Sequence, residues 1–116
     1  MHWFTDEWVL PNMETTYVLP VNPVIFNYIK ISKICPVLID FSLVSHKSLD
    51  DRDTIRYSQA NTVYPMIVSK MHNPHDLPYR MLDGRHRIHK LKEQNHSSGM
   101  FYIIPEEIVM LNLRRL

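Results

Sequence analysis

Cysteine and glycine are scarce in this chain, and neither sign of charge dominates it. Its 116 residues include one cysteine, Cys35, and two glycines, and the formal net charge is +1. A single cysteine excludes a disulfide within the chain, which fits a reducing compartment, and we expect Cys35 to be a buried small hydrophobe. A net charge near zero argues against a protein that coats nucleic acid through its overall charge, but it leaves a local basic patch open.

Long apolar runs are missing as well. No segment is long enough to cross a bilayer, and the first residues, MHWFTDEW, lack the basic start and apolar stretch of a secretory signal. We therefore expect a cytoplasmic protein with no membrane partner, whose oligomeric state the sequence does not give. The composition is 45% hydrophobic and 22% charged, which is typical of a folded chain, and the length fits a single domain over residues 1–116.

The order of apolar runs, turn residues and helix starts predicts an α+β fold, with a small mixed β-sheet and flanking helices. Residues 71–78 are predicted to be the loop of a β-hairpin, and Arg114 and Arg115 to complement the dipole at the end of the last helix. Segment 23–34 is compatible with either a helix or a strand. Strands are predicted over 15–21, 36–44, 63–70, 79–82 and 100–105, and helices over 48–61, 85–95 and 106–116.

The segment YRMLDGRHRIHKLKEQN, residues 79–95, carries the clearest chemical signal. Asp83 and Gly84 end a strand, and Arg85, His86 and Arg87 open a helix, whose first turn already carries the positive end of a dipole. Cations there repel that dipole unless an anion lies among them, and phosphate fits a helix start that follows a glycine. The alternative is a solvated helix start at which Asp83 neutralises the arginines.

The segments YPMIV and YRMLDGRHRIHKLKEQ resemble the ParB N-terminal-like domain, which shares a fold with sulfiredoxin and includes members called ParB-like nucleases. The shared pattern is a strand led by proline, a hairpin, a second strand ending in Asp-Gly, and a basic helix start. The resemblance is clearest over 48–107. It implies that residues 1–47 are an N-terminal elaboration of the family fold. Because this turn binds nucleotide or phosphate in the family, the resemblance implies that Gly84, Arg85, His86 and Arg87 bind phosphate here.

This chain differs from members of the family at several points, and these differences reduce the number of functions that the resemblance implies. Sulfiredoxin has a catalytic cysteine where this chain has Arg85, so we do not expect it to reduce sulfinic acids. Partition proteins continue into further domains, and we do not expect this chain to be a complete one. Two classes remain: a nucleotide-dependent phosphotransferase or phosphohydrolase, with His86 as acid or base and Mg²⁺ near Asp83, and a non-catalytic DNA-binding or regulatory module. No carboxylate base can be assigned from the sequence.

The histidines and the local charge are two further features of the sequence. The chain has seven histidines, including the pairs His72 and His75, and His86 and His89, but no metal motif, so we expect no metal site and solvent-facing loop histidines. From residue 80 to residue 93, five Lys and Arg residues stand against two acids, a local excess of three. That excess suits one triphosphate or a few contacts to DNA phosphates.

Overall fold

A computed structural model describes residues 2–4, 17–22, 24–46 and 58–115, and it has the expected α+β character. The elements alternate along the chain in short segments, because prolines and turn residues interrupt every run. In chain order they are β1 (His2–Phe4), β2 (Tyr17–Asn22), α1 (Val24–Ser32), β3 (Val37–Asp40), a 3₁₀ turn (Phe41–Leu43), β4 (Val44–Ser45), β5 (Met66–Ser69), β6 (Tyr79–Asp83), α2 (Arg85–Glu93), β7 (Ser98–Ile104), α3 (Glu106–Asn112) and β8 (Arg114–Arg115).

The main sheet has five strands in the order β3-β7-β5-β6-β4 and is mixed, as predicted. Strand β7 is antiparallel to β3 and parallel to β5, and β6 is antiparallel to β5 and parallel to β4. The predicted hairpin around residues 71–78 is therefore confirmed, with Val68 opposite Met81. A second sheet, in the order β1-β2-β8, joins the two ends of the described chain.

Apolar side chains pack on both faces of the main sheet. On one face, Ile25 of α1 and Val109 of α3 share a buried cluster with Ile67 of β5. On the other face, Ile88 of α2 packs in a cluster with Met66, which is the neighbour of Ile67 along β5. Successive residues of a strand point to opposite faces, so every residue of the central strand β5 is buried. Helices cover both faces of this strand. Only Gly84 separates the end of β6 from the start of α2.

Several elements differ in type or extent from the sequence predictions. The ambiguous segment 23–34 contains the helix α1, Val24–Ser32. The predicted strand over 36–44 is broken after Asp40 by the 3₁₀ turn, which Asp40 caps by accepting from the Ser42 N–H at 2.9 Å. The last helix ends at Asn112 rather than at residue 116. Of the helix predicted over 48–61, residues 48–57 lie outside the described part, and residues 58–59 are helical.

Two predictions about single residues are wrong. Cys35 is exposed rather than buried, because it lies in the connection between α1 and β3, just after Lys33 takes a positive φ of 51°. Arg114 and Arg115 do not close a helix but form β8, where they pair with Val18 and Tyr17 of β2. Within the described ranges, no helix has both the length and the apolar character needed to cross a membrane.

Candidate functional site

The turn between β6 and α2 (residues 83–87, the β6–α2 turn) requires a glycine for two reasons. Gly84 has φ +116°, a conformation that other residues rarely adopt. A Cβ added to Gly84 would also lie 2.5 Å from Cγ of Met66, a fully buried residue of the core. Gly84 is therefore explained by backbone conformation and packing, and the approach of an anion, which we predicted from the sequence, is not needed to account for it.

Helix α2 begins directly at the predicted cations. Its first hydrogen bond runs from the Ile88 N–H to the carbonyl oxygen of Gly84, at 2.9 Å, and Gly84 contributes no side-chain cap. The N–H groups in the first turn of a helix have no acceptor within that helix. Arg85, His86 and Arg87 are half-buried in this turn, and the described helix has no acidic residue there. The positive dipole end and the cations therefore coincide, as the sequence predicted.

The Arg87 guanidinium is held by two acceptors. Its Nη1 donates to the carbonyl oxygen of Pro65 at 2.6 Å, and its Nη2 donates to Oδ2 of Asp83 at 3.0 Å. The two side chains of the ion pair are 21% and 33% exposed, for Arg87 and Asp83 respectively. These bonds tie the start of β5, the end of β6 and the first turn of α2 together. They engage part of the donor capacity of Arg87, since a guanidinium carries five N–H donors.

A cleft of about 390 Å³ opens beside this ion pair. Asp83 and Arg87 line one side of it, whereas Gly84, Arg85 and His86 are not among its lining residues. Phe26 and Lys30 of α1 line it as well. The volume falls within the range of roughly 300–1,000 Å³ that is typical of small-molecule sites. Two of the five predicted residues thus line the cleft, and the other three do not.

Lys30, together with the aromatic residues of this cleft, was not predicted to be part of the site. Phe26 and Lys30 are four positions apart and therefore lie on the same side of α1. Tyr64 precedes β5, and Tyr102 lies on β7 opposite Ile67. The spacing of Phe26 and Lys30 could have been noticed if segment 23–34 had been assigned as a helix. Nothing in the sequence indicates that Tyr64 and Tyr102 converge with them.

Arg80 is a structural residue rather than part of a basic surface. It is only 6% exposed, and its Nη1 donates to the carbonyl oxygen of His72 at 3.1 Å. Arg80 therefore helps to hold the hairpin loop closed over the start of β6. The local excess of positive charge that we counted from residue 80 is correspondingly less available to an external anion.

The two lysines of α2 also contact their own chain. Nζ of Lys90 donates to the carbonyl oxygens of Ser58 and Ala60, at 3.2 Å each. Nζ of Lys92 lies 2.9 Å from Nε2 of His46, which leaves Nε2 as the acceptor of that bond. These contacts hold α2 against neighbouring loops and reduce the basic surface that DNA could use.

The described histidines contact different residues in different parts of the fold. His75 is exposed, as predicted for a loop histidine, and its Nδ1 lies 2.6 Å from Oγ of the buried Ser45. The rings of His46 and His89 meet edge to face with their centroids 4.9 Å apart. In the described part of the chain, no group of three or more His, Cys, Asp or Glu residues is arranged to hold a metal ion.

No protein-family model, curated protein or solved structure matches this chain. Its function is therefore inferred from the β6–α2 turn and the adjoining cleft. The turn offers cations and helix N–H groups to an anion, with one arginine fixed in advance. The cleft offers aromatic surface beside that arginine.

Proposed function

We propose that the β6–α2 turn binds the phosphate group of a nucleotide or other phosphorylated small molecule. The observation that carries the proposal is the coincidence of Arg85, His86 and Arg87 with the first turn of α2. A helix start concentrates partial positive charge, and phosphate accepts several charge-assisted hydrogen bonds at once. An anion at this turn would relieve the repulsion between the cations and the dipole.

We also propose that the fold is ParB/sulfiredoxin-like. Strand β5 follows Pro65, a hairpin loop leads to β6, and β6 ends at Asp83 before Gly84 and the basic start of α2. This is the order of elements that the resemblance implies. The mixed sheet with helices on both faces is consistent with it.

Each residue of the turn has a distinct part in the proposal. Arg85 and His86 supply the contacts to phosphate oxygens, and Gly84 sets the direction in which the helix starts. Arg87 is oriented before the ligand arrives by Asp83 and by the carbonyl oxygen of Pro65, so less side-chain freedom is lost on binding. Asp83 opposes a phosphate by its charge, and a Mg²⁺ ion bound there would have to share the carboxylate with Arg87.

Binding is proposed as the function, ahead of catalysis. Phosphoryl transfer needs a group that orients or deprotonates the nucleophile. The carboxylate that lines the cleft belongs to Asp83, and it already accepts a hydrogen bond from Arg87. A phosphotransferase or phosphohydrolase activity, with His86 as acid or base, and a DNA-binding role are therefore outcomes to be tested beside simple binding.

A thermal-shift screen tests the proposal. The ligands are ATP, ADP, CTP, GTP, inorganic phosphate, sulfate and a short DNA duplex, each with and without Mg²⁺. A ligand present at a hundred times its Kd stabilises the fold by about 2.7 kcal/mol. The test variant is Arg85→Gln, and the matched control is Lys92→Gln, which removes the same charge from the last turn of the same helix.

The screen separates the classes of function. A shift with a phosphorylated ligand that Arg85→Gln loses and Lys92→Gln keeps supports binding at the turn. Release of phosphate from a nucleotide, abolished by His86→Ala, would add catalysis. A shift with DNA alone, weakened by both substitutions, would replace the small-molecule site with a basic surface. If no phosphorylated ligand shifts the melting temperature, the proposal is wrong.

A further inference from the structure

We propose a second binding site, in the cleft between α1 and the main sheet, for a small molecule with a flat apolar ring and one anionic group. This goes beyond phosphate binding at the β6–α2 turn, because its anchors are Lys30 and three aromatic residues that take no part in that proposal. The aromatic residues are Phe26, Tyr64 and Tyr102.

Within the described residues, the positive charge of Lys30 is not balanced by another side chain of the cleft. Among the residues that the structure describes, three ionised side chains line it, those of Lys30, Asp83 and Arg87. Asp83 and Arg87 form an ion pair with each other at 3.0 Å. Across the described part of the chain, Lys30 has neither a hydrogen bond nor an ion pair. One positive charge therefore faces the cleft, which suits a ligand that carries a single negative group.

The apolar walls indicate the body of the ligand. Phe26 is 38% exposed and Tyr64 is 64% exposed, although both are aromatic and lie beside a cleft. Ile29 and Ile67 add apolar surface between them. Exposed aromatic faces next to a concavity gain most from stacking on another ring, and a volume of about 390 Å³ admits one or two fused rings with a substituent.

The hydroxyl groups that line the cleft are compatible with the same ligand. The hydroxyl groups of Tyr64 and Tyr102 make no hydrogen bond within the residues that the structure describes. The Tyr64 loop is held by a bond from the Val63 N–H to Oδ1 of Asn61, at 3.0 Å. A few polar groups around an apolar concavity are the usual composition of a small-molecule site. The place of Lys30 in the last turn of α1 also suits the helix dipole, but the dipole alone does not account for the aromatic residues around it.

The test is a titration followed by backbone amide shifts, with 1-naphthoate as the probe. The neutral 1-naphthylmethanol and inorganic phosphate are the ligand controls. Lys30→Gln is the test variant, and Lys33→Gln is matched to it, because Lys33 loses the same charge beyond the end of α1 and does not line the cleft. Phe26→Ala is the second variant, since a side chain that is 38% exposed can be truncated with little cost to folding.

We expect 1-naphthoate to shift the amides of residues 29–30, 64, 67 and 102, and Lys30→Gln to raise its Kd about tenfold, as for the loss of one charge-assisted bond. Lys33→Gln should leave the Kd unchanged, Phe26→Ala should raise it, and 1-naphthylmethanol should bind more weakly. Absence of naphthoate binding, or equal losses in the two lysine variants, overturns the inference. Phosphate shifts confined to residues 84–88 would leave the turn proposal standing even then.

Discussion

Arg87 and Asp83 form an ion pair across Gly84, with Nη2 of the arginine 3.0 Å from Oδ2 of the aspartate. The same guanidinium donates to the carbonyl oxygen of Pro65. One side chain thus connects two neighbouring strands to the helix that follows them. The contact gives Arg87 a structural role and also orients it at the edge of the cleft. Both roles can be tested by mutation.

Asp83→Asn should strengthen phosphate binding at the β6–α2 turn. The substitution removes the negative charge at the start of the β6–α2 turn, so we expect the Kd for inorganic phosphate to fall about fivefold, the effect of roughly 1 kcal/mol of repulsion at short range in water. The free energy of unfolding should drop by at most about 1 kcal/mol, because the ion pair is partly exposed. Glu107→Gln on α3 is the control with the same change of charge. Unchanged or weaker phosphate affinity in Asp83→Asn would contradict the account.

Gly84→Ala should destabilise the protein strongly. The new Cβ would meet Cγ of Met66 at 2.5 Å, and the residue would have to hold φ +116°. Overpacking and backbone strain cost about 1–3 kcal/mol each, so we expect a loss of roughly 2–6 kcal/mol in urea unfolding. Gly99→Ala is the comparison, because its Cβ would also be crowded, at 2.9 Å from Phe41, but without a positive φ.

A double-mutant cycle measures how much of the cost of Gly84→Ala comes from its contact with Met66. A Met66→Ala background removes the closest contact, with Cγ, whereas the contact with Cβ of residue 66 at 2.9 Å and the backbone strain remain. We expect Gly84→Ala to cost less by at least 1 kcal/mol in that background, a coupling of the size found for residues in contact. Equal costs in both backgrounds would show that the contact with Cγ of Met66 does not contribute to the requirement for glycine.

Asn73 should be the most sensitive residue of the hairpin loop. It is 4% exposed, its Nδ2 donates to the carbonyl oxygens of Met71 and Leu77, and its Oδ1 accepts from the N–H groups of His75 and Leu77. Asn73→Ala leaves those backbone groups without their partner and should cost about 2–4 kcal/mol in urea unfolding. Pro74→Ala, at an exposed position of the same loop, should cost much less. Similar costs for both would refute this role of Asn73.

Asp40 should make the stability depend on pH in the acid range. The hydrogen bond from the Ser42 backbone N–H, with a further bond from the Ser42 hydroxyl, lowers the pKa of the Asp40 carboxyl below its usual value of 3.8. A pKa that is lower in the folded state means that the ionised carboxylate stabilises the fold above the unfolded pKa. That stabilisation is lost as the pH falls through the folded pKa.

The measurement is the melting temperature of wild type and Asp40→Asn between about pH 6 and pH 2. Asparagine can also accept the Ser42 N–H but does not titrate. We expect wild type to lose more stability than Asp40→Asn as the pH falls below about 4. Parallel curves would show that the bond does not favour the ionised form.

Local patterns predicted the part of the fold that surrounds the turn. The proline before β5, the turn residues of 71–78 and the Asp-Gly pair each constrain the backbone within a few residues, and the hairpin and α2 follow from them. The cation-bearing first turn of α2 was likewise readable from sequence.

Long-range contacts could not be predicted in the same way. Arg114 and Arg115 look like the end of a helix because lysine and arginine are common there, but pairing with Tyr17 and Val18 overrides that preference. The bond from Arg87 to the carbonyl oxygen of Pro65 links residues that are 22 positions apart. The cleft that Lys30 joins likewise depends on how α1 packs on the sheet, for which a single sequence holds no signal.

The most direct test of phosphate binding at the turn is an amide-shift titration of the whole chain with inorganic phosphate and with ADP. We predict saturable movement of the amide signals of residues 84–88, weakened in Arg85→Gln and preserved in Lys92→Gln. If those signals stay in place up to millimolar ligand while the protein remains folded, the β6–α2 turn is not a phosphate site.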